Sequence, residues 1–344
     1  MAQPILCVLF GGKSNEHDVS LLSAAAVLAA LDRAKIPRLA LFSDRDGRLF
    51  LYSGGVSADG GLSVDPSRLS PADFVRGGVF LQKTAGFLPL SGVLPAVHGG
   101  QTEDGRLQGM LDLLGINYAG SGAEASAVAM NKALTKTVLS AAGVPVAGGF
   151  AETAEDDGKT VGRVESALAY PVFVKPARSG SSIGAGIARN RAELVARISE
   201  AKKTDRLILF EPFLSGREIE VGVLADETGR IEASPPGELL YDAPFYDYSA
   251  KYGVGAKTAI PADLSADLSA RLKALSLTAF RALGCRHYAR VDFILTDGGI
   301  VLNEVNTLPG LTDKSMFPSL AAAMGVPFPA LIRRLVFFAT GAAP

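Results

Sequence analysis

The chain has 344 residues, more than a usual single core holds, so we expect two or three domains with a sizeable buried interior. Its 34 lysines and arginines balance 35 aspartates and glutamates, which gives no reason to expect nucleic acid or a membrane as a partner and favours a small substrate. The 38 glycines, with 48% hydrophobic residues, are typical of an α/β enzyme with phosphate-handling loops.

The two cysteines, Cys7 and Cys285, form neither a metal-binding spacing nor a disulfide framework. They fit a reducing cytosol, in which Cys7 would pack in a core. The chain opens on an apolar run, 4–10, without a basic leader, and no apolar run is long enough to span a bilayer. We therefore expect a cytoplasmic protein without a signal peptide.

The first segment alternates strands with helices. Strands are predicted at 5–10, 38–42 and 92–97, and helices at 20–31 and 107–114. This alternation favours a Rossmann-like α/β domain with a mostly parallel sheet.

Two motifs in this segment lie between a strand and a helix, where ligands of parallel sheets bind. Glu16 follows Gly11-Gly12 and is either a functional carboxylate or an acid favoured by the helix dipole, and its residue type alone leaves both interpretations open. His98 precedes two glycines, which permit close backbone approach to a ligand, although a lone histidine is usually structural. If their strands are neighbours, Glu16 and His98 should lie close together.

The second segment is predicted to form a small α+β layer. Its predicted elements are helices at 131–142 and 192–201 and strands at 172–175, around Ile187 and at 207–211. Lys175 ends a strand before a loop rich in glycine and serine, 179–186, which is either a phosphate cradle or a flexible hairpin. Glu211 ends the last strand, whose edge either contacts an adenine and its ribose or simply joins two domains.

The third segment is predicted to contain strands at 218–224 and 288–295 and helices at 266–283 and 328–339. Residues 238–257 are rich in tyrosine, aspartate, glycine and alanine, which predicts an exposed loop or lid.

A group of polar residues near the end of the chain carries the strongest chemical signal. Asp292 and Glu304 lie in apolar, alternating stretches, so a hairpin turn at 296–299 would bring both acids onto one face. With Asn306 they offer hard oxygen ligands suited to Mg²⁺. The alternative is exposed strand acids with Asn306 capping a turn, but all three beside Arg290 favour the metal site.

Together these motifs resemble the ATP-grasp superfamily and, within it, the D-alanine–D-alanine ligase family. The resemblance runs in order through nearly the whole chain, at 10–20, 98–111, 129–132, 173–184, 216–224, 245–252, 289–293 and 302–312. It implies an ATP-grasp fold with a Rossmann-like domain 1–130, a small central α+β domain 131–217, and a C-terminal α+β domain 218–344 with a lid at 238–257. Thr102, Pro212 and Asp313-Lys314 depart from the family pattern, away from the implied phosphoryl chemistry.

The resemblance also implies residue roles. The implied ATP ligands are Lys132, Lys175 and Lys251 on the phosphates, with Glu211, Leu214 and Glu218 on the adenosine. The implied ligands of two Mg²⁺ or Mn²⁺ ions are Asp292, Glu304 and Asn306. The implied substrate residues are Glu16 and His98 at the first D-alanine, and Gly310 and Ser315 at the carboxylate of the second. Ser181 and Tyr252 would form a hydrogen-bonded set with Glu16, and Arg290 would stabilise the transferred charge.

The implied activity is the ATP-dependent joining of two D-alanines, in a bacterial cytoplasmic homodimer, for peptidoglycan precursor synthesis. The nearest alternatives are ligases that form D-alanyl-D-serine or D-alanyl-D-lactate, and a more distant one is a nucleotide-binding regulator without turnover. The segment around Tyr252 argues against lactate, and the presence of Arg290 with all the implied metal ligands argues against a regulator.

Overall fold

The computed structural model describes residues 3–57, 60–240 and 257–342. The strands are β1 (Ile5–Gly11), β2 (Arg38–Ser43), β3 (Leu49–Tyr52), β4 (Leu69–Val75), β5 (Gly78–Leu81), β6 (Gly86–Pro95), β7 (Phe150–Thr153), β8 (Val172–Pro176), β9 (Gly186–Ala188), β10 (Leu207–Pro212), β11 (Arg217–Ala225), β12 (Ile231–Ala233), β13 (Gly237–Leu240), β14 (Lys257–Ala259), β15 (Tyr288–Thr296) and β16 (Gly299–Asn306). The α-helices are α1 (His17–Arg33), α2 (Arg106–Leu113), α3 (Ala123–Met130), α4 (Lys132–Ala141), α5 (Asp157–Ala167), α6 (Arg191–Lys202), α7 (Ala266–Ala282), α8 (Met316–Ala323) and α9 (Phe328–Thr340).

The first sheet closes into a barrel of β1 to β6. Strand β1 pairs in parallel with β2 and β6, whereas the other four pairings among the described strands are antiparallel. The prediction of a mostly parallel sheet is therefore wrong, since four of these six pairings are antiparallel. Strands β3 and β5 are short, and β4 contains Pro71, which cannot donate a ladder hydrogen bond, so sequence patterns do not reveal them.

The first core includes the end of the chain. Apolar side chains of β1, β2 and β6 pack against α1, represented by Val8, Leu28 and Leu41, and Leu331 and Leu335 of α9 belong to the same core. This return of the chain places the segment between β16 and α8 beside the carboxyl ends of β1 and β6.

The second sheet has the order β7-β10-β8-β9, with α5 and α6 packed on its core. This confirms the predicted small α+β layer. Arg178 donates two side-chain hydrogen bonds, of 3.0 and 2.6 Å, to Asp205, which fixes the chain where the loop after β8 begins.

The third sheet has the order β14-β13-β11-β15-β16, and β12 also pairs with β11. Helix α7 covers it, and Leu139 of α4 and Val144 pack in the same core. Helix α4 thus contacts the third sheet although it precedes the second sheet in the chain. The domain boundaries at 130 and 217 remain predictions.

The predicted loop 238–257 is wrong at its ends. Glu238 lies in β13 and is buried. Arg217 donates hydrogen bonds of 2.7 and 2.6 Å to its two carboxylate oxygens, which offsets the cost of burying the charge. Lys257 begins β14, which pairs with β13. The intervening part of the predicted lid lies outside the described residues.

Among the described helices, none alone is long and apolar enough to cross a membrane. Helices α8 and α9 meet the length and composition test only as a pair bent by 102°.

His287 connects the first core to the start of β15. Its Nδ1 accepts a hydrogen bond from the Gly120 N–H at 3.0 Å, and its ring stacks on Phe338 with centroids 4.5 Å apart. Burial, followed by the neighbouring Arg286 charge, lowers the pKa of His287 to about 4. The ring is therefore neutral in the folded protein at neutral pH.

This shift predicts acid sensitivity. Between pH 6.5 and about 4 the unfolded chain binds a proton that folded His287 excludes, so the stability present above pH 6.5 falls as the pH drops toward 4. The variant His287→Asn should weaken this pH dependence, since asparagine tolerates the positive φ of 65° and does not titrate. Urea unfolding at pH 7 and pH 4.5 measures the free energy of unfolding of both proteins. If the parent protein and His287→Asn lost the same stability between these pH values, the prediction would be contradicted.

Candidate active site

The hairpin of β15 and β16 places the predicted polar group on neighbouring strands. Asp292 pairs with Glu304 and Arg290 with Asn306, and the turn closes from Thr296 to Gly299. This confirms the predicted pairing of the two acids across the hairpin. Strand β11 lies on the other side of β15 and places Glu220 opposite Asp292.

Arg290 is buried between two carboxylates. Its Nε and Nη2 donate to the two oxygens of Asp292 at 2.8 and 2.7 Å, and Nε lies 3.0 Å from Glu220 Oε2. Burial alone would lower the pKa of Arg290, but the charges of Asp292 and Glu220 outweigh it and raise that pKa above its ordinary value. The guanidinium is thus a permanent, oriented positive charge in the cleft.

Lys132 links three parts of the fold. It begins α4, and its Nζ donates to the Ser179 carbonyl oxygen at 2.7 Å and lies 3.2 Å from Glu304 Oε2. The lysine is buried, so its ammonium is held between the loop after β8 and the β16 carboxylate.

Two lysines share the Glu211 carboxylate. Lys175 Nζ lies 2.9 Å from Oε2 and donates to Asn303 Oδ1 at 3.1 Å, while Lys136 Nζ lies 2.6 Å from Oε1. Burial raises the pKa of Glu211, but the charges of the two lysines lower it more strongly. The pKa therefore lies below its ordinary value. Two ammonium groups against one carboxylate leave an excess positive charge in this wall, which suits an anionic ligand.

Lys136 and Glu220 also line the larger cavity and are not among the residues predicted from the sequence. Lys136 follows Lys132 by four residues on α4, and that spacing, which puts both lysines on one helix face, could have revealed it. Glu220 follows Glu218 by two residues on β11, so strand alternation could have placed both on one face.

Two adjoining cavities contain the predicted residues. The larger encloses about 710 Å³ and the smaller about 540 Å³. Residues that line the larger one include Lys132, Lys175, Ser181, Glu211, Leu214, Glu218, Arg290, Asp292 and Glu304. Residues that line the smaller one include Glu16, His98, Lys132, Ser181, Arg290, Glu304, Asn306, Gly310 and Ser315. Lys132, Ser181, Arg290 and Glu304 belong to both, so the two cavities share a wall.

Glu16 and His98 both line the smaller cavity because β1 and β6 are parallel neighbours, as predicted. Ser14 Oγ donates to the His98 carbonyl oxygen at 2.5 Å and accepts from the Glu16 N–H at 3.2 Å. At Gly99, with φ of 70°, an added Cβ would lie 2.5 Å from Glu16 Oε2, so the glycine lets this carboxylate approach the backbone.

Ser181 brings the loop after β8 to Glu16. Its hydroxyl donates to Glu16 Oε1 at 2.5 Å, although 165 residues separate the two in the chain. Ser181 and Ser182 adopt positive φ angles of 51° and 55°, which are unfavourable for residues other than glycine. The Glu16 contact is one interaction that holds this backbone in place.

Gly310 and Ser315 line the smaller cavity from the segment between β16 and α8. Ser315 precedes α8, and its Oγ is 2.7 Å from Thr312 Oγ1. A Cβ at Gly310 would lie 2.9 Å from Ser315 Oγ, so glycine keeps this loop close to the serine. Asn306 Oδ1 accepts the Leu308 N–H at 3.0 Å, which shapes the start of the same loop.

All predicted site residues within the described ranges line one or both cavities. Lys251 and Tyr252 lie outside those ranges. No group of three or more histidine, cysteine, aspartate or glutamate side chains in the described part of the chain is placed to hold a metal ion. Asp292, Glu304 and Asn306 nevertheless offer two carboxylates and an amide oxygen, a donor set that fits Mg²⁺ when water and phosphate oxygens complete its shell.

Comparisons with known proteins agree with this arrangement. Family models described as the D-ala D-ala ligase N-terminus and C-terminus match residues 5–121 and 138–337. A D-alanine–D-alanine ligase of Chlorobaculum parvum is 40% identical, over 98% of this chain and 97% of its own.

Solved structures match along the whole chain as well. The VanG D-Ala:D-Ser ligase from Enterococcus faecalis has a TM-score of 0.87 at 30% identity, covering 98% of this chain and 99% of its own. The D-alanine-D-alanine ligase from Coxiella burnetii has a TM-score of 0.84 at 31% identity, covering 98% and 96%. With both family models matched and the fold shared from end to end, the chain belongs to the D-alanine–D-alanine ligase family.

Proposed function

We propose that the chain joins two D-alanines into D-alanyl-D-alanine, with ATP converted to ADP and phosphate, as a step of peptidoglycan precursor synthesis. The main support for this proposal is the wall that the two cavities share, because Lys132, Arg290 and Glu304 line both cavities. A nucleotide in the larger cavity and amino acids in the smaller one would meet at these charges. Membership of the ligase family supports the same assignment.

The larger cavity suits ATP in size and charge. Its volume of about 710 Å³ lies within the range of small-molecule sites. Lys132 and Lys175 would contact the phosphates, joined by Lys251, and Glu211, Leu214 and Glu218 would hold the adenosine. Pro212 has no N–H, so a backbone donor beside the adenine must come from another residue, such as Leu214.

We assign Asp292, Glu304 and Asn306 to the binding of two Mg²⁺ or Mn²⁺ ions. When bound, the ions would neutralise charge on the phosphates. In the structure Arg290 and Lys132 contact Asp292 and Glu304 respectively, so each of these carboxylates faces a cationic side chain.

The smaller cavity would hold both amino acids. Glu16 would take the ammonium of the first D-alanine, supported by Ser181 and His98, with Tyr252 extending the hydrogen-bonded set. Gly310 and Ser315 would take the carboxylate of the second D-alanine. These groups and Arg290 line the same cavity, so the two substrates would approach each other near the guanidinium.

The charges in the shared wall fit a two-step reaction. A carboxylate oxygen of the first D-alanine attacks the γ-phosphorus of ATP, ADP leaves, and a D-alanyl phosphate forms. The amine of the second D-alanine then attacks the acyl carbon, and the carbon–oxygen bond to phosphate breaks. Arg290 would stabilise the transferred phosphoryl group and the tetrahedral oxyanion, while Lys132 and Lys175 orient the nucleotide.

The likeness to a D-Ala:D-Ser ligase favours a second candidate product, D-alanyl-D-serine. A product assay decides between the candidates, with Mg-ATP, D-alanine and equal concentrations of D-serine and D-lactate. We expect D-alanyl-D-alanine as the main product. A predominance of the serine or lactate product would reassign the second subsite, and ATP turnover without any dipeptide or depsipeptide would refute the ligase proposal.

The protonation of Lys136 should make kcat/KM for ATP depend on pH. Burial lowers the pKa of Lys136 to about 8, an effect that Glu211 only partly opposes. The ammonium form, which predominates below that pH, holds Glu211 and attracts phosphate. We therefore expect kcat/KM for ATP, which reports on the free enzyme, to fall as the pH rises through about 8.

The variant Lys136→Met should have a lower kcat/KM for ATP below pH 8 and should lose this step in the pH profile. Lys203→Met is a control, since Lys203 is exposed and pairs with Glu200. A Lys136→Met profile with the same step as the parent protein would remove Lys136 from this role.

We also propose that the protein is a cytoplasmic homodimer that associates through its first domain. Analytical ultracentrifugation measures the mass in solution, and a monomer at micromolar concentration would contradict the homodimer.

A further inference from the structure

A buried polar network joins helix α1 to the loop that carries Gly310. Ser23 of α1 is fully buried, and His98 is 4% exposed. Ser23 Oγ lies 2.8 Å from His98 Nε2 and accepts the Leu311 N–H at 3.3 Å. His98 Nδ1 lies 3.2 Å from the Leu308 carbonyl oxygen. Two contacts to the loop, on either side of Gly310, thus converge on one serine–histidine pair.

The partners fix the direction of the hydrogen bonds. The Leu308 carbonyl can only accept, so His98 Nδ1 carries a proton. In the neutral ring, Nε2 then accepts from the Ser23 hydroxyl, whose oxygen accepts from Leu311. Glu103 Oε1 lies 3.8 Å from Nδ1 and also favours a proton on that nitrogen. Both ring nitrogens are engaged by the protein, so His98 supports the loop through them.

We propose that Ser23 is a positioning residue for the second-substrate subsite, acting through His98 and the Leu308–Leu311 backbone. The inference rests on the proposed function, in which Gly310 and Ser315 hold the second carboxylate. The side chain of Ser23 is fully buried behind His98, so it sets the position of the loop without touching substrate. Losing its hydroxyl would leave Leu311 N–H and His98 Nε2 without this partner, and the loop would loosen where the second carboxylate binds.

Kinetics of Ser23→Ala test the proposal. Alanine is smaller and favours helix, so the fold should persist, which thermal unfolding checks. We expect KM for the second D-alanine to rise about tenfold, which corresponds to the loss of one or two neutral hydrogen bonds. KM for ATP should stay within about twofold of the parent value. Ser276→Ala is the matched control, because Ser276 is equally buried and donates to Leu272 O within α7. An unchanged KM for the second D-alanine, or equal changes for all substrates, would overturn the proposal.

A second readout does not depend on ligase activity. The chain has three histidines, so ¹⁵N-detected spectra with His98→Gln as an assignment aid can report the His98 tautomer. We expect the Nδ1–H form in the parent protein and a shifted tautomer signal in Ser23→Ala. An Nε2–H form in the parent protein, or identical spectra in both, would overturn the network. Absence of dipeptide synthesis by the parent protein would instead count against the proposed function, while this spectrum still decides whether Ser23 holds His98 in the Nδ1–H tautomer.

Discussion

Replacing Arg290 with lysine is expected to lower kcat by about 10²- to 10³-fold, as loss of a transition-state donor does in other enzymes. Lysine keeps the charge but cannot reproduce the planar fork that meets Asp292 at 2.8 and 2.7 Å. Because the proposed contacts of Arg290 form mainly in the transition state, ATP binding should change much less than kcat.

Steady-state kinetics and ATP titration of Arg290→Lys measure this effect, with thermal unfolding as a check on the fold. Arg38→Lys serves as the control, since Arg38 of β2 also contacts both oxygens of an aspartate, Asp32 of α1, and neither residue lines either of the two cavities. An unchanged kcat in the folded Arg290→Lys variant would exclude its assigned role.

Glu304→Gln should nearly abolish turnover and raise the Mg²⁺ concentration needed for half-maximal rate by about tenfold or more. The amide keeps the shape of the side chain but loses the negative charge that would attract the metal. In the parent protein Glu304 Oε2 lies 3.2 Å from Lys132 Nζ. Rates measured over a Mg²⁺ and Mn²⁺ titration give the result.

Asp297→Asn provides a control on the same hairpin, because Asp297 is exposed in the turn between β15 and β16. It removes one negative charge without touching either cavity. Parent-like Mg²⁺ dependence in Glu304→Gln would remove Glu304 from the metal site.

The hairpin is the part of the site that the sequence predicts best. Apolar alternating stretches on both sides of Thr296–Gly299 predict the hairpin, but the register of that turn alone would place Asp292 opposite Asn303. A register shift between Asp292 and Phe293 puts Asp292 opposite Glu304, and the sequence pattern does not reveal this shift. Glu16 and His98 are predictable because each follows a buried strand and parallel strands end at the same edge.

Other features depend on contacts between distant segments. The burial of Glu238 in β13 requires Arg217, and no local pattern distinguishes this acid from those of an exposed loop. The barrel needs the short strands β3 and β5, whose pairing comes from closure of the sheet rather than from their own sequences. Ser23 occupies an ordinary helical position, and only the approach of His98 and Leu311 reveals its contacts.

In the proposed reaction, ATP activates the carboxylate of one D-alanine for attack by the amine of another. Incubating the protein with Mg-ATP and D-alanine labelled with ¹⁸O in its carboxylate shows whether this activation occurs. We expect D-alanyl-D-alanine, ADP and phosphate that carries one ¹⁸O from the substrate carboxylate. Unlabelled phosphate, or ATP consumption that does not depend on D-alanine, would contradict it.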